Sequence, residues 1–176
     1  TLSYTLSLHD ALPICATTFT AAVGGTTQLA SVTTNAGGTT AINGGVVSTS
    51  GAQNYNDNAT LGANTSITAT TATFNGTVVG GGNNLAITGD AVFGDAAGDT
   101  VTGLGTLSVS GTTQVGTNTI TSAGTQTYTG ALTVAASAAT ATFTTTDSAI
   151  LVSSTTTLSA TATFSTGSGN VTFTGA

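Results

Sequence analysis

The sequence predicts an all-β fold, a parallel β-solenoid of about 19–21 residues per coil, and three observations carry that prediction. The first is composition. Thr supplies about a quarter of the 176 residues. Thr and Val favour strands, and Gly and Asn suit the turns between them. Four good helix formers, Glu, Lys, Arg and Met, are absent. The second is a phrase that occurs twice, GTTAINGGVVSTSGAQNY from Gly38 to Tyr55 and GTTQVGTNTITSAGTQTY from Gly111 to Tyr128. Shifted by 73 positions, Ile42 meets Val115, Val47 meets Ile120, Gly51 meets Gly124, Gln53 meets Gln126 and Tyr55 meets Tyr128. The third is a shorter period. Tyr55, Phe74 and Phe93 are 19 and 19 apart, and Val47, Ile67, Ile87 and Leu107 are 20, 20 and 20 apart. Like side chains at such an interval stand above one another when each turn of a stacked array takes one interval. Tandem β-sandwich repeats are the alternative, since short strands with regular turns suit them too. The near-constant interval favours the solenoid.

In chain order, Thr1 to Cys15 stand apart from the rest. They hold the sole His (His9), the sole Pro (Pro13) and the sole Cys (Cys15). The string TLSLHDALPI (Thr5 to Ile14) resembles a translated sequencing adapter, with Cys15 at the junction, so residues 1–15 are expected to be a non-native leader. With no Met present, the body 16–176 reads as an internal piece of a longer protein, of the kind a metagenomic fragment would give. Phe19 to Val32 open a long repeat expected to cover 19–92, and Phe93 to Val109 open a second over 93–172. Each long repeat of about 74 residues would make about four coils, and Val171-Thr-Phe173 resembles a truncated third start. Leu85-Ala-Ile87, Leu107-Ser-Val109 and Val171-Thr-Phe173 alternate as half-buried strands do. Gly44-Gly45, Gly80 to Asn84 and Gly167 to Asn170 are turn clusters. Leu85 and Leu104, 19 apart, and Phe143 and Phe164, 21 apart, are further expected stacking pairs. Tyr55 and Tyr128 are expected in an aromatic ladder. About eight coils would form a rod about 40 Å long.

The charge balance limits the partners. The formal charge is −6 with no Lys and no Arg. Phosphate has no cationic donor to meet, which excludes nucleic acid, and anionic lipid finds none either. No stretch suggests membrane insertion. Ser7, His9 and Asp10 have the residue types of a hydrolase triad, but a triad is spatial and these are neighbours in the leader. Cys15 alone implies neither a disulfide framework nor a metal site. In the body, Asp90, Asp95 and Asp99 share one stretch, while Asp57 and Asp147 stand alone. Calcium needs more oxygens at fixed spacing than these offer, so turn roles are expected. General acid–base work has almost no candidates. The sequence therefore points to no catalytic residue, no cofactor site and no metal site, and to a chain that is not an enzyme. Thr-x-Thr pairs at Thr71/Thr73, Thr117/Thr119, Thr125/Thr127, Thr140/Thr142 and Thr161/Thr163 raise an ice-binding Thr surface as an alternative. The gaps between them, 46, 8, 15 and 21, are irregular and speak for ordinary exposed strand Thr. Asn58, Asn64, Asn75 and Asn170 open N-x-[ST] sequons.

From Phe19 to Thr68 the text FTAAVGGTTQLASV…NAGGTTAINGGVVSTSGAQNYNDNATLGANTSIT resembles the repeats of very large bacterial exoproteins of the filamentous-haemagglutinin-like, β-strand-repeat type. FNGTV (Phe74 to Val78) and LAITGDAVFG (Leu85 to Gly94) are similar to the links between such repeats. The resemblance covers nearly all of 16–176 and is looser after Ala131. It implies export across a Gram-negative outer membrane by an autotransporter or two-partner route, and display as a secreted, cell-surface β-helical rod. It also implies adhesion, with a host or bacterial cell surface or matrix component as partner and neighbouring repeats as the structural contact. A polysaccharide-active β-helix enzyme is the remote alternative.

Overall fold

In a computed structural model the chain forms a parallel β-solenoid; residues 6–7 and 16–175 are described. Of residues 1–15 only Leu6 and Ser7 are described, and their backbone pairs in parallel with Val32 and Thr33. His9, Asp10, Pro13 and Cys15, on which the triad and leader expectations rest, lie outside the described residues.

Each coil has three sides. The first face is an eight-stranded parallel sheet: Ala16–Phe19, Thr39–Ile42, Asn58–Leu61, Val78–Val79, Thr100–Leu104, Thr119–Ser122, Thr140–Thr145 and Thr161–Ser165. The second face runs from Val46–Ser48 through the starts of Thr65–Phe74 and Leu85–Phe93 to Leu107–Val109, Gln126–Tyr128, Ile150–Val152 and Val171–Phe173. The third runs from Val32–Thr33 and Gln53–Tyr55 through the ends of those two long strands to Thr113–Val115, Leu132–Val134 and Thr156–Leu158. Thr65–Phe74 and Leu85–Phe93 each turn the corner between the second and third faces as one strand. Gly89, at φ 123°, makes the bend in the second of them, a conformation open to Gly alone.

Strand alternation fills the interior. Val47, Ile67, Ile87, Val109, Tyr128, Val152 and Phe173 form one inward file. Tyr55, Phe74, Phe93, Val115, Val134 and Leu158 form another. The rings of Tyr55 and Phe74 stack at 4.7 Å and 10°, and those of Phe74 and Phe93 at 5.8 Å and 13°. Phe143 stacks on Phe164 at 4.7 Å, as their spacing predicts. Burying such rings supplies about 2 kcal/mol or more each. Both files end exposed at the last coil, one at Phe173 and the other at Leu158, and Val171 is exposed beside Phe173.

Three sequence expectations are corrected. Coils run from 19 residues (Leu107 to Gln126) to 26 (Leu6 to Val32), a wider range than the 19–21 expected. Leu107 does not follow Ile87. Leu107 stands on Leu85, and Val109 takes the place on Ile87. Leu85 and Leu104 do not stack either, because Leu104 belongs to the first face and pairs with Ser122. The cause is an enlarged turn at Gly94–Asp99, which lengthens the coil without disturbing its core. The short 3-10 turn Ala136–Ala138 enlarges a later coil in the same way.

The third correction concerns the repeated phrase. Its first copy begins on the first face and ends with Tyr55 on the third; its second begins on the third and ends with Tyr128 on the second. A shift of 73 positions is thus three coils and two faces, not four coils. Tyr128 accordingly leaves the Tyr55 file and meets Phe143 edge-on at 6.0 Å.

Candidate functional site

What the two copies of the phrase share is a corner. Gln53 is fully buried and donates from Nε2 to the carbonyls of Val47 at 3.1 Å and Thr68 at 3.0 Å. Its Oε1 accepts from the Tyr55 hydroxyl at 2.7 Å. In the second copy Gln126 donates to Ile120 at 3.3 Å and Thr144 at 2.9 Å, and Tyr128 donates to Gln126 at 3.0 Å. Thr49 caps the carbonyl of Gly51 at 2.7 Å, and Ser122 caps Gly124 at 2.6 Å. The chain turns inward here, which would orphan carbonyls in a dry interior, and the amide satisfies them. Burial raises both tyrosines well above the ordinary phenol value. These polar groups serve the fold.

The carboxylates are dispersed, and their contacts are those of turns. Asp57 Oδ1 accepts from the Gly38 amide at 2.6 Å, and Asp90 Oδ1 from that of Thr112 at 2.7 Å. Asp99 Oδ2 accepts from Asp95 and Ala96 at 3.3 and 3.1 Å, closing its own loop. Asp147 Oδ1 accepts from Ser168 at 2.8 Å, and that backbone hydrogen bond lowers its pKa. Four of the five thus hold an amide, two of them from the following coil and one from the preceding. Among the described residues no three His, Cys, Asp or Glu side chains come together as metal ligands.

No family model matches the chain, and neither does any curated protein or solved structure. The surface must therefore speak for itself.

Of the five Thr-x-Thr pairs singled out in the sequence, Thr71/Thr73 lie on the third face and Thr125/Thr127 on the second, and Thr117 is buried. Thr140/Thr142 and Thr161/Thr163 do stand one on the other, on the first face. Pairs missing from that set complete the pattern. Thr100, Thr119, Thr142 and Thr163 are consecutive Cα partners in four successive coils. Beside them run Thr121, Thr144 and Ser165, also in register, with Thr102 alongside at a bulge. Inward residues between the two files, Val101, Ile120, Phe143 and Phe164, anchor the sheet from below. The spacings along the first file are 19, 23 and 21, so a search at constant interval does not find it.

Of the sequon residues, Asn58, Asn64 and Asn170 are exposed and Asn75 is half-buried. Asn58 Oδ1 accepts from Thr77 and Asn64 Oδ1 from Asn84, and Asn75 donates to Asn56. Asn58, Asn64 and Asn75 thus help tie one coil to the next. No helix among the described residues is long and apolar enough to cross a membrane.

Proposed function

We propose that the chain is a structural and adhesive segment of a large secreted bacterial surface protein, a stalk that carries attachment to cells or surfaces and has no catalytic role. The observation that supports this reading most is the division of labour in each coil. Inward positions are spent on unbroken packing files, and outward positions repeat Thr, Ser and Asn along a rod about 40 Å long. Coils hydrogen-bond to their neighbours through parallel edges, the arrangement by which a solenoid extends without limit of length. Four of the five carboxylates of the body accept from backbone amides in turns, which supports a structural role over acid–base chemistry. On this reading the segment stands outside a Gram-negative cell, its partners being neighbouring repeats and a cell-surface or matrix component. The test is retention of the purified chain on immobilised bacterial and epithelial cells and on glycan arrays. Saturable retention above that of a scrambled sequence is expected; retention equal to the scrambled control would remove adhesion from the account.

A further inference from the structure

We infer that the first face of the last four coils is an ice-binding surface, built from the file Thr100, Thr119, Thr142 and Thr163 and the parallel file Thr121, Thr144 and Ser165. The two files lie on one sheet. Neighbours repeat at about 4.8 Å along the rod and about 6.7 Å across a strand, giving a two-dimensional grid of hydroxyl and methyl groups. Each Thr is β-branched and stiff at χ1, so the grid is set before any partner arrives and little ordering remains to be done on binding. The Thr121 hydroxyl is further held by the Gly103 amide, which donates to it at 3.0 Å.

The chemistry of the face selects the occupant. Its strands hold no charged residue and the chain has no cation, so an ionic partner finds no complement. The outward positions carry no aromatic and no Arg, the anchors on which protein interfaces depend and, for aromatics, the platforms on which sugar rings would lie. Thr121 and Thr144 of the second file line a shallow groove of about 380 Å³ with Gly103, Leu104 and Ser122, and that groove holds no charged or aromatic side chain to fix a small ligand. A neutral lattice of water, with rows of oxygens in two directions, matches a neutral grid of hydroxyls and methyls. Upstream, Thr77 continues the first file by one place before Asn58 interrupts it, while Val79 and Ala41 interrupt the second, so the two files run side by side only in the last four coils.

The inference stands apart from adhesion, and its test is separate. Ice recrystallisation and thermal hysteresis would be measured with the whole chain, its fold checked by far-UV circular dichroism. The chain is expected to inhibit recrystallisation. Thr119→Lys and Thr142→Lys should each raise the concentration required at least about tenfold. Thr127→Lys, outward on the second face, should leave it unchanged. Should a Lys variant fail to fold, Thr142→Val, which keeps the shape and removes the hydroxyl, is measured in its place with the same expected direction. A folded chain without effect on ice overturns the inference. So does equal loss in Thr127→Lys, no loss in the first-face variants, or retention on crystalline cellulose or chitin in place of ice. Cell retention without ice activity would leave the adhesive reading standing alone.

Discussion

Phe74→Ala removes the middle ring of the Tyr55–Phe74–Phe93 stack, a side chain with no solvent exposure. Truncating a buried Phe to Ala costs about 3–5 kcal/mol in transfer and cavity terms. The upper half of that range is expected here, because two stacking partners lose their neighbour at once. For a body of this size each kcal/mol moves the midpoint by about 2–4 °C, so thermal unfolding should fall by about 8–20 °C. Coils couple chiefly to their nearest neighbours, so the loss should register in the coils of Tyr55 and Phe93. Phe173→Ala is the matched control. That ring is 46% exposed at the last coil, and its loss should cost under about 1 kcal/mol. The assay is thermal and urea unfolding followed by circular dichroism. If Phe74→Ala proves no more destabilising than Phe173→Ala, the stacked-file account of the core is refuted.

Three further outcomes follow from particular contacts. Gln53→Ala strands the Tyr55 hydroxyl and the carbonyls of Val47 and Thr68, and should cost about 2–4 kcal/mol. Adding Tyr55→Phe should recover part of that, and a coupling below about 0.5 kcal/mol in the double-mutant cycle would contradict the corner motif. Burial raises the pKa of Tyr55 and Tyr128 above the ordinary 10.0, so the folded state keeps protons that the unfolded state releases. Their contribution is complete below about pH 10 and is lost as pH rises, with a slope near 2.7 kcal/mol per pH unit for the pair. Denaturant titrations at pH 9 to 12 would show it, and a flat profile would count against burial of both rings. Gly130→Val would place a Cβ against the Gly111 carbonyl and the Thr112 amide. Overpacking of this kind should cost about 1–3 kcal/mol, readable by urea denaturation.

The fold class was legible because the solenoid writes its core in a one-dimensional code. Where coils are equal in length the code reads directly: Tyr55, Phe74 and Phe93 stand 19 apart and do stack. The reading slipped at Leu107 because residues added at Gly94–Asp99 loop outward. Surface turns absorb insertions at little cost, so they are free to vary while the faces stay in register. The repeated phrase misled for a different reason. It encodes a corner, satisfied locally by Gln and Tyr, and a three-sided coil offers equivalent corners at each turn of direction. The same words can therefore fall on any face, as Tyr55 and Tyr128 do. The Thr files were hidden by the same variable coil lengths. Thr is also the commonest residue of the chain, so its placement carries meaning only once the faces are known.

Disulfide cross-linking tests the register of the first face most directly. In a Cys15→Ser background, Thr119→Cys with Thr142→Cys joins Cα partners on adjacent parallel strands. Such strands lie about 4.8 Å apart, within the reach of a disulfide. Thr119→Cys with Thr140→Cys is the pair that a near-constant coil of 21 residues would favour. Two residues of rise along the strand put its Cα atoms about 8 Å apart, beyond that reach. The account predicts rapid, quantitative oxidation of the 119–142 pair and little of the 119–140 pair. The reverse order would contradict the register on which the faces and their Thr files depend.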